Sequence, residues 1–252
     1  MKYRIIVSDW NGTLFDDKID ELQLKEIIFA GFRDLIMEFL KGEKNIGEIF
    51  NLFRGLREIK NISDKINGDP EEFQRIYDIL NENILCGRKT SFIKNVIDEY
   101  AKKYKKMIDE RVLRPIKNSH LEGKYTAILS CSYEYGIKSV LRESGYEDVF
   151  DDIIANKLLE NSGHLIGFVN EVYGRKQNII KEEFLYKKNL REKDIIYLGD
   201  SYIDEPIAEI LPKGNFIVPF LADEDYKEKM SAKYGAFVPE SEDDLIKYLK
   251  NK

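Results

Sequence analysis

The chain opens on one short apolar run, Tyr3 to Val7 with Arg4 inside it, which stops at Ser8-Asp9 and breaks into Asn11-Gly12-Thr13. A β-rich run of this length bounded by turn residues predicts a buried strand. No second strand pattern follows until Thr126–Ser130; between them, over roughly 18–112, apolar residues recur at helical spacing. Beyond Thr126, strand and helix patterns alternate, and such alternation predicts a parallel sheet covered on both faces. The fold this order admits is α/β, a Rossmann-like parallel sheet core with an all-helical module inserted after its first strand.

The helical block reads as several pieces. Leu22, Leu24, Ile27, Ile28, Phe32, Leu35, Ile36, Phe39 and Leu40 form one amphipathic pattern that Gly42 stops. Ile46–Ile59 is a second, with Ile49, Phe50, Phe53 and Leu56 on its apolar face. A turn-rich loop leads to Pro70, and the pattern resumes to about Leu85; Thr90 or Ser91 can cap a further helix through Tyr104. The aromatic residues Phe32, Phe50, Phe53, Phe73 and Tyr77 read as a small core of this block. Among its charges, Arg54, Arg57 and Arg88 read as exposed helix positions. In the second half, helices are expected at Tyr135–Ser144, Lys176–Lys187 and Ser241–Leu249. Strands are expected at Thr126–Ser130, Asp152–Ala155, Leu165–Val169, Asp194–Leu198, Asn215–Phe220 and Ala236–Val238.

In open parallel sheets ligands bind outside the carboxyl ends of the strands, so the first strand delivers Asp9 to that edge. Gly12 allows a sharp turn with close backbone approach, and the Thr13 hydroxyl beside the turn's N–H groups suits an anion such as phosphate. The segment Asp9-Trp10-Asn11-Gly12-Thr13-Leu14 resembles the first motif of the haloacid dehalogenase superfamily, whose phosphatases usually read D-x-D-G-T-L/V. The second aspartate is here an asparagine. Ser130, ending the TAILS strand, resembles the second motif; its hydroxyl either bonds a phosphoryl oxygen or, with Ser132, merely caps the following helix. Lys176 resembles the third-motif lysine, with Arg175 as its neighbouring competitor. It follows ANKLLENSGHLIGFV at 155–169, a segment similar to that of phosphoserine-phosphatase-like members. GDSYID at 199–204 resembles the fourth motif.

The resemblance spans the whole core and implies a domain division: 1–17 with 113–252 as core, 18–112 as helical cap, hinged near Asp16–Lys18 and Leu113–Ile116. It implies catalytic roles for Asp9, Asn11, Lys176 and Ser130, and phosphate contacts from Trp10, Thr13, Ser130, Cys131 and Lys176. Mg²⁺ would be held by Asp9, the backbone carbonyl of Asn11 and Asp200, with Gly12, Ser201 and Asp204 in support. The Trp10 indole is expected to pack locally, and His120 and His164 to lie at the surface.

An amide cannot exchange a proton at neutral pH, so Asn11 can neither protonate a leaving alcohol nor activate water. Three readings follow. The first is a slow or specialised phosphatase acting on a small phosphorylated metabolite, with Asp16 and Asp17 just beyond the loop. The second is a C–P hydrolase, since phosphonoacetaldehyde hydrolases resemble the motif with D-W-A-G-T; Lys41, Lys44 and Lys60 would then be candidate imine lysines. The third is a non-catalytic phosphate- or metabolite-binding protein, or a phospho-sensor, of the same fold.

A net charge of −6 without long runs argues against a nucleic-acid partner. The apolar runs are far shorter than the ~20 residues of a membrane span, and the chain passes straight into its first strand without a leader. Cys86 and Cys131 have neither metal-ligand nor disulfide-framework spacing. The expectation is a soluble cytoplasmic protein, monomeric or homodimeric, with no membrane partner.

Overall fold

The computed structural model describes residues 3–16, 21–43, 45–63 and 70–252. The expectations at Asp17, Lys18, Lys44 and the loop before Pro70, and those for the side chains of Ile49 and Phe73, lie outside what is described. The strands are β1 (Ile5–Ser8), β2 (Tyr125–Tyr133), β3 (Asp152–Asn161), β4 (His164–Val169), β5 (Ile195–Leu198) and β6 (Phe216–Ile217). They form one sheet in the order β4-β3-β2-β1-β5-β6. Every pairing is parallel except the β3–β4 hairpin. β1 is central because all four of its residues are buried and it pairs on both sides, which a wholly apolar parallel strand requires. Successive units run outward in opposite directions from β1, so the order reverses between β1 and β5. That crevice is the switch point where such sheets bind ligands.

The helices between β1 and β2 are α1 (Glu21–Leu40), α2 (Ile46–Ser63), α3 (Pro70–Leu80), α4 (Thr90–Tyr104) and α5 (Glu110–Leu121). The core helices are α6 (Glu134–Ser144), α7 (Lys176–Ile179), α8 (Glu205–Ala208), α9 (Glu224–Tyr234) and α10 (Glu242–Asn251). The pleat of β1 sorts the core: Ile6 joins Val112, Ile116, Val140 and Leu245 on one face, while Ile5 and Val7 join Ile180, Phe184 and Met230 on the other.

Several expected boundaries move. α7 is followed without a break by a π-helical stretch to Tyr186. The strand expected over Asn215–Phe220 is only Phe216–Ile217, and that expected over Ala236–Val238 is a single bridge from Phe237 to Ile217. At this edge of the sheet a bridge suffices, and the chain turns away after it. Neither Thr90 nor Ser91 caps α4; Lys89 occupies the cap position and Thr90 is already helical. Nor do Ser130 and Ser132 cap α6: β2 runs on past both, and the cap position falls to Tyr133.

The aromatic cluster expected inside the helical block is open at one side. Phe50 and Phe53 are 66% and 53% exposed. The buried cluster of this block instead takes in Tyr133, Leu165 and Phe168 from β2 and the β4 strand, with Tyr77 stacked on Phe168 at 3.8 Å between ring centres. A few amphipathic helices bury too little on their own, and the β3–β4 hairpin supplies the missing apolar face. Arg88 is not an exposed helix charge either; it sits largely buried between Asp34 and Glu38.

The two connections between block and sheet run side by side. Asp16 N donates to Met107 O at 3.0 Å and Asp109 N to Leu14 O at 2.9 Å. Leu113 and Ile116, expected to act as a hinge, are instead fully buried inside α5. No described helix is long and apolar enough to cross a membrane.

Candidate active site

Asp9 follows β1 directly, and its backbone N–H donates to Leu198 O at 2.9 Å, keeping it in register with the end of β5. The chain then turns: Gly12 N donates to Phe15 O at 2.8 Å, and Gly12 has φ +69°, a conformation that favours glycine. A β-carbon on Gly12 would fall 2.1 Å from Asp200 Oδ2. The absent side chain is what lets the first and fourth motif segments meet.

Asp9, Asp200 and Asp204 present carboxylate oxygens all within 4.8 Å of one another. Lys176, at the start of α7, reaches in from the side and is 3% exposed. Its ammonium is 2.8 Å from Asp9 Oδ2 and 2.7 Å from Asp204 Oδ1. Arg175 is exposed, so of these two neighbours it is Lys176 that meets the carboxylates. Asp204 is fully buried and also accepts from the Tyr197 hydroxyl at 2.6 Å. Thr13 Oγ1 donates to Asp200 Oδ1 at 3.0 Å, and Trp10 N to Asp9 Oδ1 at 2.7 Å.

The titration of these groups reflects a surplus of buried negative charge. Burial pushes Asp9 up to about 6, with Lys176 opposing and Asp204 adding to the rise. Burial, then the charges of Asp9 and Asp204, drive Asp200 well above the usual carboxylate range. Burial disfavours the Lys176 ammonium, but Asp204 and Asp9 overcome it and hold the lysine above its ordinary value. Three carboxylates against one ammonium leave the cluster short of positive charge, and its all-oxygen donor set suits a hard divalent cation.

Ser130 is buried and its Oγ accepts from Ser132 N at 3.1 Å. Asn11 Nδ2 donates to Ser132 Oγ at 2.7 Å, while Asn11 Oδ1 is buried without a hydrogen-bond partner. The Trp10 indole packs as expected, stacked on Phe15 at 5.3 Å. Phe15 in turn meets Tyr100 of α4 at 6.2 Å. Ser201 makes a long contact of 3.4 Å to Asp204 Oδ2. The Cys131 carbonyl accepts from Asn156 Nδ2 at 2.5 Å. His164 is exposed, and His120 is part-buried at the end of α5 beside Thr126 and Asp151. Asp16 is exposed, as are Lys41 and Lys60.

Sequence reading missed three contributors. Tyr197 lies in a strand that looked merely apolar; a buried phenol needs a partner, and that requirement was the available signal. Asn156, fully buried, clamps Cys131 O on one side and the N–H groups of Glu171 and Val172 on the other. A polar residue whose same-face neighbours, Ile154 and Leu158, are both apolar was its signal. Tyr226 of α9 carries a buried hydroxyl without a hydrogen-bond partner, raised in pKa by burial and then by Asp204 and Asp200; nothing local in the sequence marks it.

A central strand ending in a carboxylate, answered across the switch point by a lysine and two further aspartates, places an acidic, lysine-bridged site at the carboxyl edge of an α/β sheet. Residues 6–209 match the family model of haloacid dehalogenase-like hydrolases, and the chain belongs to that family. No curated protein matches the sequence. Among solved structures, a substrate-bound phosphoserine phosphatase complex is similar, with a TM-score of 0.61 and 17% identity over 99% of both chains. A phospho-aspartyl intermediate analogue of phosphoserine phosphatase has a TM-score of 0.57 and 18% identity, covering 100% of this chain and 99% of that one. Cytosolic 5'-nucleotidase IIIB bound to cytidine has a TM-score of 0.61 and 18% identity, covering 98% of this chain and 86% of that one. These likenesses show the shared fold.

Proposed function

We propose that the protein is a Mg²⁺-dependent phosphatase that takes the phosphoryl group of a small phosphorylated metabolite onto Asp9. The observation that carries this reading is the convergence of Lys176, Asp200 and Asp204 on the Asp9 carboxylate. The structural relative solved as a phospho-aspartyl intermediate analogue of phosphoserine phosphatase supports the covalent route. In this reading the segments 1–17 and 113–252 are the core and 18–112 the cap that covers it.

Asp9 attacks phosphorus and releases the leaving group, forming an acyl phosphate that water then cleaves. Lys176 holds the Asp9 carboxylate in place and neutralises the transferred oxygens, while Asp204 and Tyr197 hold Lys176. Ser130 and Lys176, with Trp10, Thr13 and Cys131, make up the phosphoryl cradle. The fit of the donor set to Mg²⁺ rests on the charge deficit: Asp9, the backbone carbonyl of Asn11 and Asp200 would hold the ion, which when bound neutralises phosphoryl charge. Gly12, Ser201 and Asp204 support that arrangement. Asn11 leaves the leaving group without an acid, a loss of typically ~10²–10⁴ in rate for alkyl esters.

The test is a screen of phosphate esters with and without Mg²⁺ on the native protein, Asp9→Asn and Asn11→Asp. Metal-dependent turnover abolished by Asp9→Asn is expected, with Asn11→Asp accelerating alkyl esters. Inertness toward every ester, aryl phosphates included, while Mg²⁺ still binds would overturn the reading in favour of a binding protein.

A further inference from the structure

The orientation of the Asn11 amide bears on which bond the site cleaves. Its Nδ2 is engaged by Ser132 Oγ at 2.7 Å, and its Oδ1 is a buried acceptor with no donor. A buried carbonyl oxygen left without a donor is destabilising, a deficit that a ligand's donor relieves. Asn11 stands two residues beyond Asp9 on the same turn, on the side of the phosphoryl site that faces β2 through Ser132.

An alkyl phosphate ester suits this corner badly on two counts. Its bridging oxygen has no hydrogen, so it would set an acceptor against an acceptor. It also departs as a basic alkoxide, which needs a proton that an amide cannot give. A phosphoramidate suits it on both. The nitrogen of an N-phosphorylated alkyl amine is basic and carries two hydrogens at neutral pH, so it can donate to Asn11 Oδ1 and leave without help.

We infer that the site is built for P–N bonds: its substrate is a small N-phosphorylated amine whose leaving nitrogen donates to Asn11 Oδ1. This rests on the phosphatase reading and names its substrate class. The reaction balances without an acid or base from the protein. An Asp9 carboxylate oxygen bonds to phosphorus as the P–N bond breaks, and the electron pair stays on nitrogen, which departs as a neutral amine. Water then attacks phosphorus, the Asp9–phosphate bond breaks to regenerate the carboxylate, and the proton released with inorganic phosphate is taken up by the freed amine. The substrate thus supplies both proton functions that Asn11 lacks.

The experiment compares N-phosphorylated n-butylamine with n-butyl phosphate, a pair differing at the leaving atom, plus an aryl phosphate, all with Mg²⁺ and corrected for spontaneous hydrolysis. For the native protein kcat/KM is expected to rank P–N first, aryl second and alkyl last, with P–N over alkyl by ~10² or more, the range that a missing general acid covers. In Asn11→Asp that ratio is expected to collapse through a rise in alkyl turnover. If the native protein cleaves aryl phosphate in an Asp9- and Mg²⁺-dependent way but handles the butyl ester as well as its P–N counterpart, this inference falls and the phosphatase reading stands. If Asp9→Asn leaves turnover of all three intact, both fall together.

Discussion

Lys176 Nζ lies 2.8 Å from Asp9 Oδ2, and both groups are almost sealed from solvent. The ammonium also bridges to Asp204, so a single lysine balances two buried carboxylates. Removing one partner of a buried ion pair typically costs 3–5 kcal/mol, because the remaining charge is left without compensation. Lys176→Met is therefore expected to lower stability by about that amount and to cut aryl phosphate turnover by ~10²–10³, as loss of one positioned donor does. Urea titration and steady-state kinetics check the two halves separately.

The acid side of the stability profile carries a signature of Asp9. Its folded pKa is about 6 against an ordinary 3.8, so over that window the folded chain binds the proton more readily than the unfolded one. Stability from this group is thus present at low pH and lost as pH rises through about 6. Asp200 shifts in the same direction. Without metal, the melting temperature of the native protein relative to Asp9→Asn is expected to improve on acidification from about pH 7 to about pH 5. Calorimetric scans of both proteins test this, and an unchanged or reversed difference contradicts it.

Magnesium should relieve the same charge surplus. Added at about 100 times its Kd, an ion that binds only the folded state stabilises it by ~2.7 kcal/mol. The rise in melting temperature at neutral pH is expected to be much reduced in Asp200→Asn, which removes one proposed ligand charge. Fluorimetric melting with and without Mg²⁺ reads this out.

Gly12 should resist substitution more than its exposure implies. Alanine there meets both a left-handed φ of +69° and a β-carbon 2.1 Å from Asp200 Oδ2. Asp200 must move, and Gly12→Ala is expected to weaken Mg²⁺ binding roughly 10–100-fold, in the range of other changes that reorient a ligand. Isothermal titration measures it; an unaltered Kd would show that Asp200 does not hold the ion.

Phe15 joins the turn after Asp9 to the helical block, stacking on Trp10 and touching Tyr100 of α4. It is 1% exposed, so Phe15→Ala is expected to cost ~3–5 kcal/mol. Equilibrium unfolding followed by Trp10 fluorescence is the direct measurement, since that indole is the chain's single tryptophan.

Local sequence alone determined the strand that carries Asp9, the helical stretch before Thr126, and the turns at Gly12 and Gly199, because periodicity and turn chemistry act over a few neighbouring residues. It also placed Asp9, Lys176, Asp200 and Asp204 at strand ends or helix starts, which a motif can encode in order. Only the tertiary structure decided which groups touch. The choice of Lys176 over Arg175 came from the direction in which α7 enters the cleft. The Asn11–Ser132 and Tyr197–Asp204 bonds, and the sharing of the helical block's core with the β3–β4 hairpin, came from packing between distant segments. Such contacts depend on which faces of the sheet and helices meet, and no spacing along the chain records that.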